Sequence, residues 1–217
     1  MAAVVFFINF MRSQKKLVMA IAVEEKRYTL EEYLEMEYQA ERRHYFFNGK
    51  IGPMPYTSNN HGLIVANLIG ELHQASKKTA YRVYPSDRML YVPECRLNYY
   101  PDVMVVKGEP AFYEHSKKMH ATLNPHTIIE VLSDSTEEGD RIDKWQCYRK
   151  ISSLQQYFLI AQDQAYIDFY NRLDETRWEN SYVDKLNQKV AIAGFALALS
   201  DIYLNVKFPT PEQKSDQ

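Results

Sequence analysis

Between Thr29 and Val206 the spacing of apolar positions changes repeatedly, and each spacing predicts an element. Thr29 followed by Glu32 is a capping-box pattern, in which each side chain receives the other residue's backbone N–H. A helix is therefore expected from about Leu30 to Tyr38. In His44-Tyr-Phe-Phe-Asn-Gly-Lys-Ile51, Asn48-Gly49 lies between extended, aromatic-rich flanks. A two-residue turn needs positive φ at both central positions, so this stretch predicts a tight hairpin. Leu63, Ile64, Leu68 and Leu72 recur at helical spacing, and Ser58, Asn59 or Asn60 can cap a helix that runs to about Lys77. Short strands follow at about Tyr81 to Tyr84, Met89 to Val92, Tyr100 to Val106 and Thr127 to Leu132. The polar stretch from Lys107 to Pro125 reads as a loop with room for one helical turn. Beyond the Ser133–Gly139 loop a helix is expected from Asp140 to Ile151. Strands follow from Gln156 to Ile160 and from Ala165 to Asn171, then a β-rich section to about Val206. Neither repeat nor linker interrupts the series, so it predicts one mixed α/β domain over 27–206.

The two ends fall outside that domain. Residues 1–11, MAAVVFFINFM, are apolar, but Arg12, Lys15 and Lys16 follow the apolar run, the reverse of a signal peptide. Eleven residues are also too few to span a bilayer. Residues 1–26 are expected to be a non-native or disordered N-terminal extension, with Met1–Val18 lying upstream of the natural start at Met19, and 207–217 a polar, mobile tail.

Composition narrows the function classes. At 46% hydrophobic and 25% charged, the chain can build a real core. A net charge of −2 confers no general affinity for phosphates, so a nucleic-acid partner would need a local basic groove. Cys95 and Cys147 lack metal-type spacing and are expected as free thiols in a reducing cytoplasm; no segment is apolar enough to cross a membrane. With seven glycines and no Gly-rich phosphate-cradling loop, a nucleotide-binding fold is not expected.

The informative segments are Pro101-Asp102-Val-Met-Val-Val106 and Ile128-Ile-Glu130-Val-Leu132. Both are apolar on both faces, which marks central strands covered on two sides. An ionised carboxylate there is costly unless compensated, and two in adjacent strands repel each other. A divalent cation resolves both costs, because hard ions such as Mg²⁺ favour carboxylate oxygens and water. The alternative is that each acid sits at a strand end or pairs with a buried Arg or Lys. On the following helix Asp140, Lys144, Cys147, Tyr148 and Ile151 share one side, and Ile142, Trp145 and Arg149 the other. Lys144 can then reach the carboxylates and a scissile phosphate, or it can form an i,i+4 surface pair with Asp140.

Tyr100-Pro-Asp-Val-Met-Val-Val106, Ile129-Glu-Val-Leu-Ser-Asp-Ser-Thr136, Asp140-Arg-Ile-Asp-Lys144 and Tyr148 resemble the motif series of a restriction-endonuclease-like family. That family is abundant in cyanobacteria, largely uncharacterised, and belongs to the PD-(D/E)XK nuclease superfamily. Tyr28-Thr-Leu-Glu-Glu-Tyr33, Asn48-Gly49, Pro53-Met54, His61 and Ile151-Ser-Ser-Leu-Gln-Gln-Tyr157 extend the likeness from about Arg27 to Val206. The resemblance implies the PD-(D/E)XK fold, a mixed sheet flanked by helices. It also implies Asp102 and Glu130 as ligands of Mg²⁺ or Mn²⁺, with Lys144 assisting attack of water on a phosphodiester. The superfamily lysine stands two residues after the second acid, where this chain has Leu132; in this family it has moved to the next helix, at Lys144. Family members usually also carry a glutamate four residues before the hairpin glycine, where this chain has Tyr45, and His44 or Glu41 are the residues that can replace it. Lys50 takes another commonly acidic place.

His61 opens its helix and either contacts phosphate, steadies the site or merely satisfies the loop backbone. His115, His120 and His126 share no helical face and lack the further ligands of a zinc site. Ser133 and Ser135 have no general base nearby and suit capping of the helix with Lys144. The aromatic-basic run Tyr38–Phe47, with Arg42 and Arg43, either touches nucleic acid or is a half-buried strand with charged neighbours. The expected function is a metal-dependent endonuclease acting on DNA, with a homodimer suited to cutting both strands. The alternatives are a catalytically degenerate nuclease fold serving as a nucleic-acid or protein interaction module, favoured by Tyr45, and a structural or transposon-associated dimer whose site is vestigial.

Overall fold

The computed structural model describes residues 26–54, 57–116, 119–133 and 139–209. Helix α1 (Leu30–Gln39) precedes the hairpin β1 (His44–Phe47) and β2 (Lys50–Pro53). Helix α2 (Asn59–Ala75) leads to β3 (Tyr81–Pro85), β4 (Leu90–Val92) and, past a 3-10 turn at Pro93–Cys95, β5 (Leu97–Tyr99). Strands β6 (Val103–Lys107), β7 (Phe112–Ser116), β8 (Met119–Thr122) and β9 (Thr127–Val131) follow. A π-helical turn at Gly139–Lys144 runs into α3 (Trp145–Tyr148). The chain ends through β10 (Gln156–Ile160), β11 (Ile167–Arg172), β12 (Trp178–Val183), β13 (Lys189–Ile192), β14 (Phe195–Ala198) and α4 (Leu199–Ile202).

The strands form two mixed six-stranded sheets, ordered β2-β1-β5-β4-β8-β7 and β12-β11-β10-β9-β6-β3, and the hairpin β13-β14. The second sheet is the middle layer. Ile64, Leu68 and Leu72 of α2 cover one face, packing on Val103, Val105, Ile129, Phe158 and Ile160 with β13, β14 and α4 around them. Met104, Val106, Ile128, Tyr157 and Leu159 point to the other face, against Leu90, Val92, Leu97 and Tyr99 of the first sheet and Cys147 and Tyr148 of α3. Helix α1 closes the far side of the first sheet through Leu30, Tyr33 and Leu34, packed with Phe46 of β1. Two-sided burial is the reason β6, β9 and β10 read as unbroken apolar runs.

Several expectations hold in detail. Both hydrogen bonds of the Thr29–Glu32 capping box are present. Asn48 and Gly49 adopt φ of 46° and 83°, and Ser58 is the residue that caps α2, accepting the His61 N–H. Others need correction. The stretch from Lys107 to Pro125 carries the hairpin β7–β8 instead of a loop. The helix expected from Asp140 to Ile151 is a π turn followed by a four-residue α segment. Cys95 and Cys147 are not free thiols: they form a disulfide between the 3-10 turn and α3, with Cα atoms 5.7 Å apart. The extension before Lys26, Ser135 and the tail beyond Pro209 lie outside the described residues.

Candidate active site

The site is built where pairing between β6 and β9 runs out. Their register matches Val103 with Ile129, and continuing it sets Asp102 against Glu130 and Pro101 against Val131. Proline has no N–H to give to a ladder. Pairing stops there, and the Val131 N–H finds a side-chain acceptor in place of a backbone one, Asp102 Oδ2 at 2.8 Å. The Asp102 N–H in turn points at Glu130 Oε2, at 3.4 Å. Asp102 therefore sits at a strand end, whereas Glu130 lies within β9 and is 2% exposed.

His61 completes the Asp102 end. Its Nε2 stands 3.0 Å from Asp102 Oδ2, and the ring is nearly buried. The His61 backbone N–H goes to Ser58 Oγ, so the cap positions the residue and leaves its ring for the carboxylate. The start of α2 is pinned in turn, because Ser58 donates to the Gln162 side chain and the Asn60 amide donates to the Gln162 and Lys207 carbonyls. The His61 ring thus meets Asp102, while its backbone N–H is the part that serves the cap.

Lys144 and Tyr148 complete the Glu130 end. Glu130 Oε1 lies 3.2 Å from Lys144 Nζ and accepts the Tyr148 hydroxyl at 3.1 Å. Lys144 is 9% exposed, and its ammonium stands 3.5 Å from the centre of the Tyr99 ring. That ring gives the cation a favourable face in a place short of water. The helical wheel holds in part: Lys144, Cys147, Tyr148 and Ile151 are buried and Ile142 and Arg149 exposed, but Trp145, expected on the side of Ile142 and Arg149, is half-buried against the core. Glu130 pairing with a buried lysine was one of the alternatives to a metal site, and that pairing is present.

A π turn plus four α-helical residues is too short to hold itself, so tertiary contacts fix this segment. Trp145 stacks on Tyr170 with ring centres 4.2 Å apart, and Tyr148 meets Tyr157 edge-on at 5.4 Å. Arg172 closes the C-terminal end, donating to the Arg149, Ile151 and Leu154 carbonyls. Burial shifts the Arg172 pKa downward. The disulfide adds a covalent tie between this segment and the turn before β5, the strand that carries Tyr99. Neither Tyr99 nor Arg172 carried any signal in the sequence, because each acts through strands distant in the chain.

Tyr45 occupies the place where the resemblance implies a glutamate. It lies opposite Gly52 in the hairpin, and a Cβ at Gly52 would fall 2.4 Å from its ring. Glycine thus leaves room for the ring, which stands 6.2 Å from Tyr99. His44 does not take over the missing role: its ring nitrogen is 3.0 Å from Glu37, which also accepts the Tyr100 hydroxyl. Burial and the Glu37 charge raise the Tyr100 pKa. Glu41 is exposed. Arg43 lies over the Tyr100 ring and pairs with Asp87 from an exposed position just before β1; of the run Tyr38–Phe47 only His44–Phe47 is strand. His126 packs edge-on against Tyr81, and His120 lies near Phe112. Among the described residues no group of three or more His, Cys, Asp or Glu side chains is placed to hold a metal ion. Among them, too, no helix is long and apolar enough to cross a membrane.

Comparison with known proteins bears on the whole domain. The family model Uma2, described as "Putative restriction endonuclease", matches residues 30–206. An uncharacterized protein of Synechocystis sp. (strain ATCC 27184 / PCC 6803 / Kazusa), sll1609, is 35% identical over 160 residues, 74% of this chain and 89% of its own. A second from the same organism, slr1290, is 29% identical over 181 residues, 82% of this chain and 92% of its own. The crystal structure of a "putative nuclease belonging to DUF820" from Anabaena variabilis ATCC 29413 superposes with a TM-score of 0.62 and 18% identity. The match covers 81% of this chain and 97% of that one, and it shows the shared fold.

Proposed function

As the chain belongs to the Uma2 family of restriction-endonuclease-like proteins, we propose that it is a metal-dependent endonuclease hydrolysing phosphodiester bonds of DNA. The observation that carries this reading is the convergence of Asp102 and Glu130 at one end of the β6–β9 pair, with Lys144, Tyr148 and His61 on their oxygens.

Two hard-oxygen carboxylates fit a Mg²⁺ or Mn²⁺ ion that keeps several waters, the usual manner in which Mg²⁺ binds proteins. Asp102 and Glu130 would hold it. When bound, the ion would supply Lewis-acid polarisation of the phosphoryl group. His61 and the Val131 N–H fix the rotamer of Asp102, and Tyr148 fixes that of Glu130. Lys144 neutralises Glu130 in the resting site, and its ammonium is the group available to offset charge on a pentavalent phosphate.

A second reading, a nuclease fold that binds nucleic acid or protein without cutting, is favoured by Tyr45, whose ring fills the place of a third acid. Calorimetric titration of Mg²⁺ and Mn²⁺ into wild type and Glu130→Gln, with a plasmid-nicking assay, separates the two. Binding lost in the variant and metal-stimulated nicking by wild type support the nuclease. Salt-dependent DNA binding with no cleavage in either metal supports the second reading.

A further inference from the structure

The Cys95–Cys147 disulfide joins the two segments that hold the Lys144 ammonium between them. On one side Cys147 lies between Lys144 and Tyr148 in the chain, on a segment too short to be stable alone. On the other side Cys95 ends the turn that enters β5, whose Tyr99 ring lies beneath the same ammonium. A 52-residue separation is closed by this one bond, so the two sides of the lysine's pocket are tied to each other directly as well as through the sheet. The two sulfurs are not equally sheltered. Cys147 is buried, whereas Cys95 is half-exposed and has Lys150 Nζ 3.6 Å from its Sγ.

We propose that this disulfide is a thiol-responsive clamp that sets the position of Lys144 over Glu130. A dithiol reductant attacks the accessible Cys95 sulfur as a thiolate. The S–S bond breaks, Cys147 departs with the electron pair and takes up a proton, and a mixed disulfide remains on Cys95. The reductant's second thiol then closes on its first, leaving as a cyclic disulfide and freeing Cys95 beside the Lys150 ammonium. The protein gains two electrons and two protons, and the dithiol loses them. With the tie gone, the π turn and α3 are left to non-covalent contacts, among them Trp145 on Tyr170, Arg141 on Asp168 and the Arg172 hydrogen bonds, and the lysine samples positions away from Glu130. Only the consequence for hydrolysis rests on the nuclease reading; the clamp itself does not.

The test is lysine acetylation of the full chain by acetic anhydride, followed site by site by mass spectrometry, with thiols counted under denaturing conditions. Air-oxidised protein is expected to show no free thiol and slow labelling of Lys144. Dithiothreitol should expose two thiols and speed labelling of Lys144 by about fivefold or more, as local opening rises, while exposed Lys189 is unchanged. Cys95→Ser should match the reduced protein and ignore dithiothreitol. Two thiols appearing with no change at Lys144 would overturn the proposal, as would air-oxidised protein in which both thiols stay free. Labelling that responds while no form nicks DNA leaves the clamp standing and removes the nuclease reading.

Discussion

Lys144 holds its ammonium 3.2 Å from Glu130 Oε1, and both side chains are buried. Neither charge has water to fall back on, so each is tolerated because of the other. Breaking a buried pair from one side is far more damaging than replacing both partners. Lys144→Met is therefore expected to lower the unfolding free energy by about 3 kcal/mol or more, and Lys144→Met with Glu130→Gln to recover most of that loss. Urea denaturation of the two single variants and the double completes the cycle; additive losses would mean the pair is not coupled.

His61 should act through Asp102. His61→Leu removes one of two donors from Asp102 Oδ2 and is expected to cost about 2 kcal/mol, the scale of a hydrogen bond to a charged group. If Asp102 is a metal ligand, the same change weakens Mg²⁺ binding by about tenfold, the effect of losing an orienting partner behind a ligand. Calorimetry on the variant reads the second effect, urea denaturation the first.

Tyr45→Glu tests the missing carboxylate directly. The new acid would replace a ring one aromatic removed from Lys144. Lost aromatic packing should cost about 1–2 kcal/mol of stability. In return, Mg²⁺ should bind about tenfold tighter, since a third oxygen ligand joins the two acids. Unchanged affinity by calorimetry would show that position 45 does not reach the ion.

Burial, aided by the Lys107 charge, pushes His126 below its ordinary pKa of 6.5. The folded chain thus prefers the neutral ring more strongly than the unfolded chain does. Stability from this site is fully present above pH 6.5 and is lost as pH falls through the lowered folded value. A urea midpoint that falls on acidification below pH 6.5 in wild type, and falls less in His126→Gln, is the expected result; identical profiles would refute it.

Much of this arrangement was legible residue by residue. The Thr29–Glu32 box, the Asn48-Gly49 turn and the apolar runs around Asp102 and Glu130 are local signals, and local geometry decides them. The wheel grouped Lys144 with Cys147, Tyr148 and Ile151 but left open whether that side is buried, since both faces carry apolar residues and the turn itself is π-helical and not α. What stayed hidden depends on distant contacts. The β7–β8 hairpin looked like a loop because β7 is an edge strand, where polar residues are tolerated. The cysteine pair gave no signal because a disulfide is decided by the spatial approach of two residues far apart in the chain. His61 could not be assigned from its place near a cap, since only the fold brings Asp102 to its ring.

The bond from the Val131 amide to Asp102 turns one backbone proton into a built-in meter of the site. Protonating Asp102, or drawing its charge toward a cation, weakens the acceptor that this amide faces, and the amide's NMR shift must follow. A single resonance at the end of β9 therefore reports the state of the carboxylate without any substitution. Any cation that Asp102 takes up would be read at that amide in the absence of substrate.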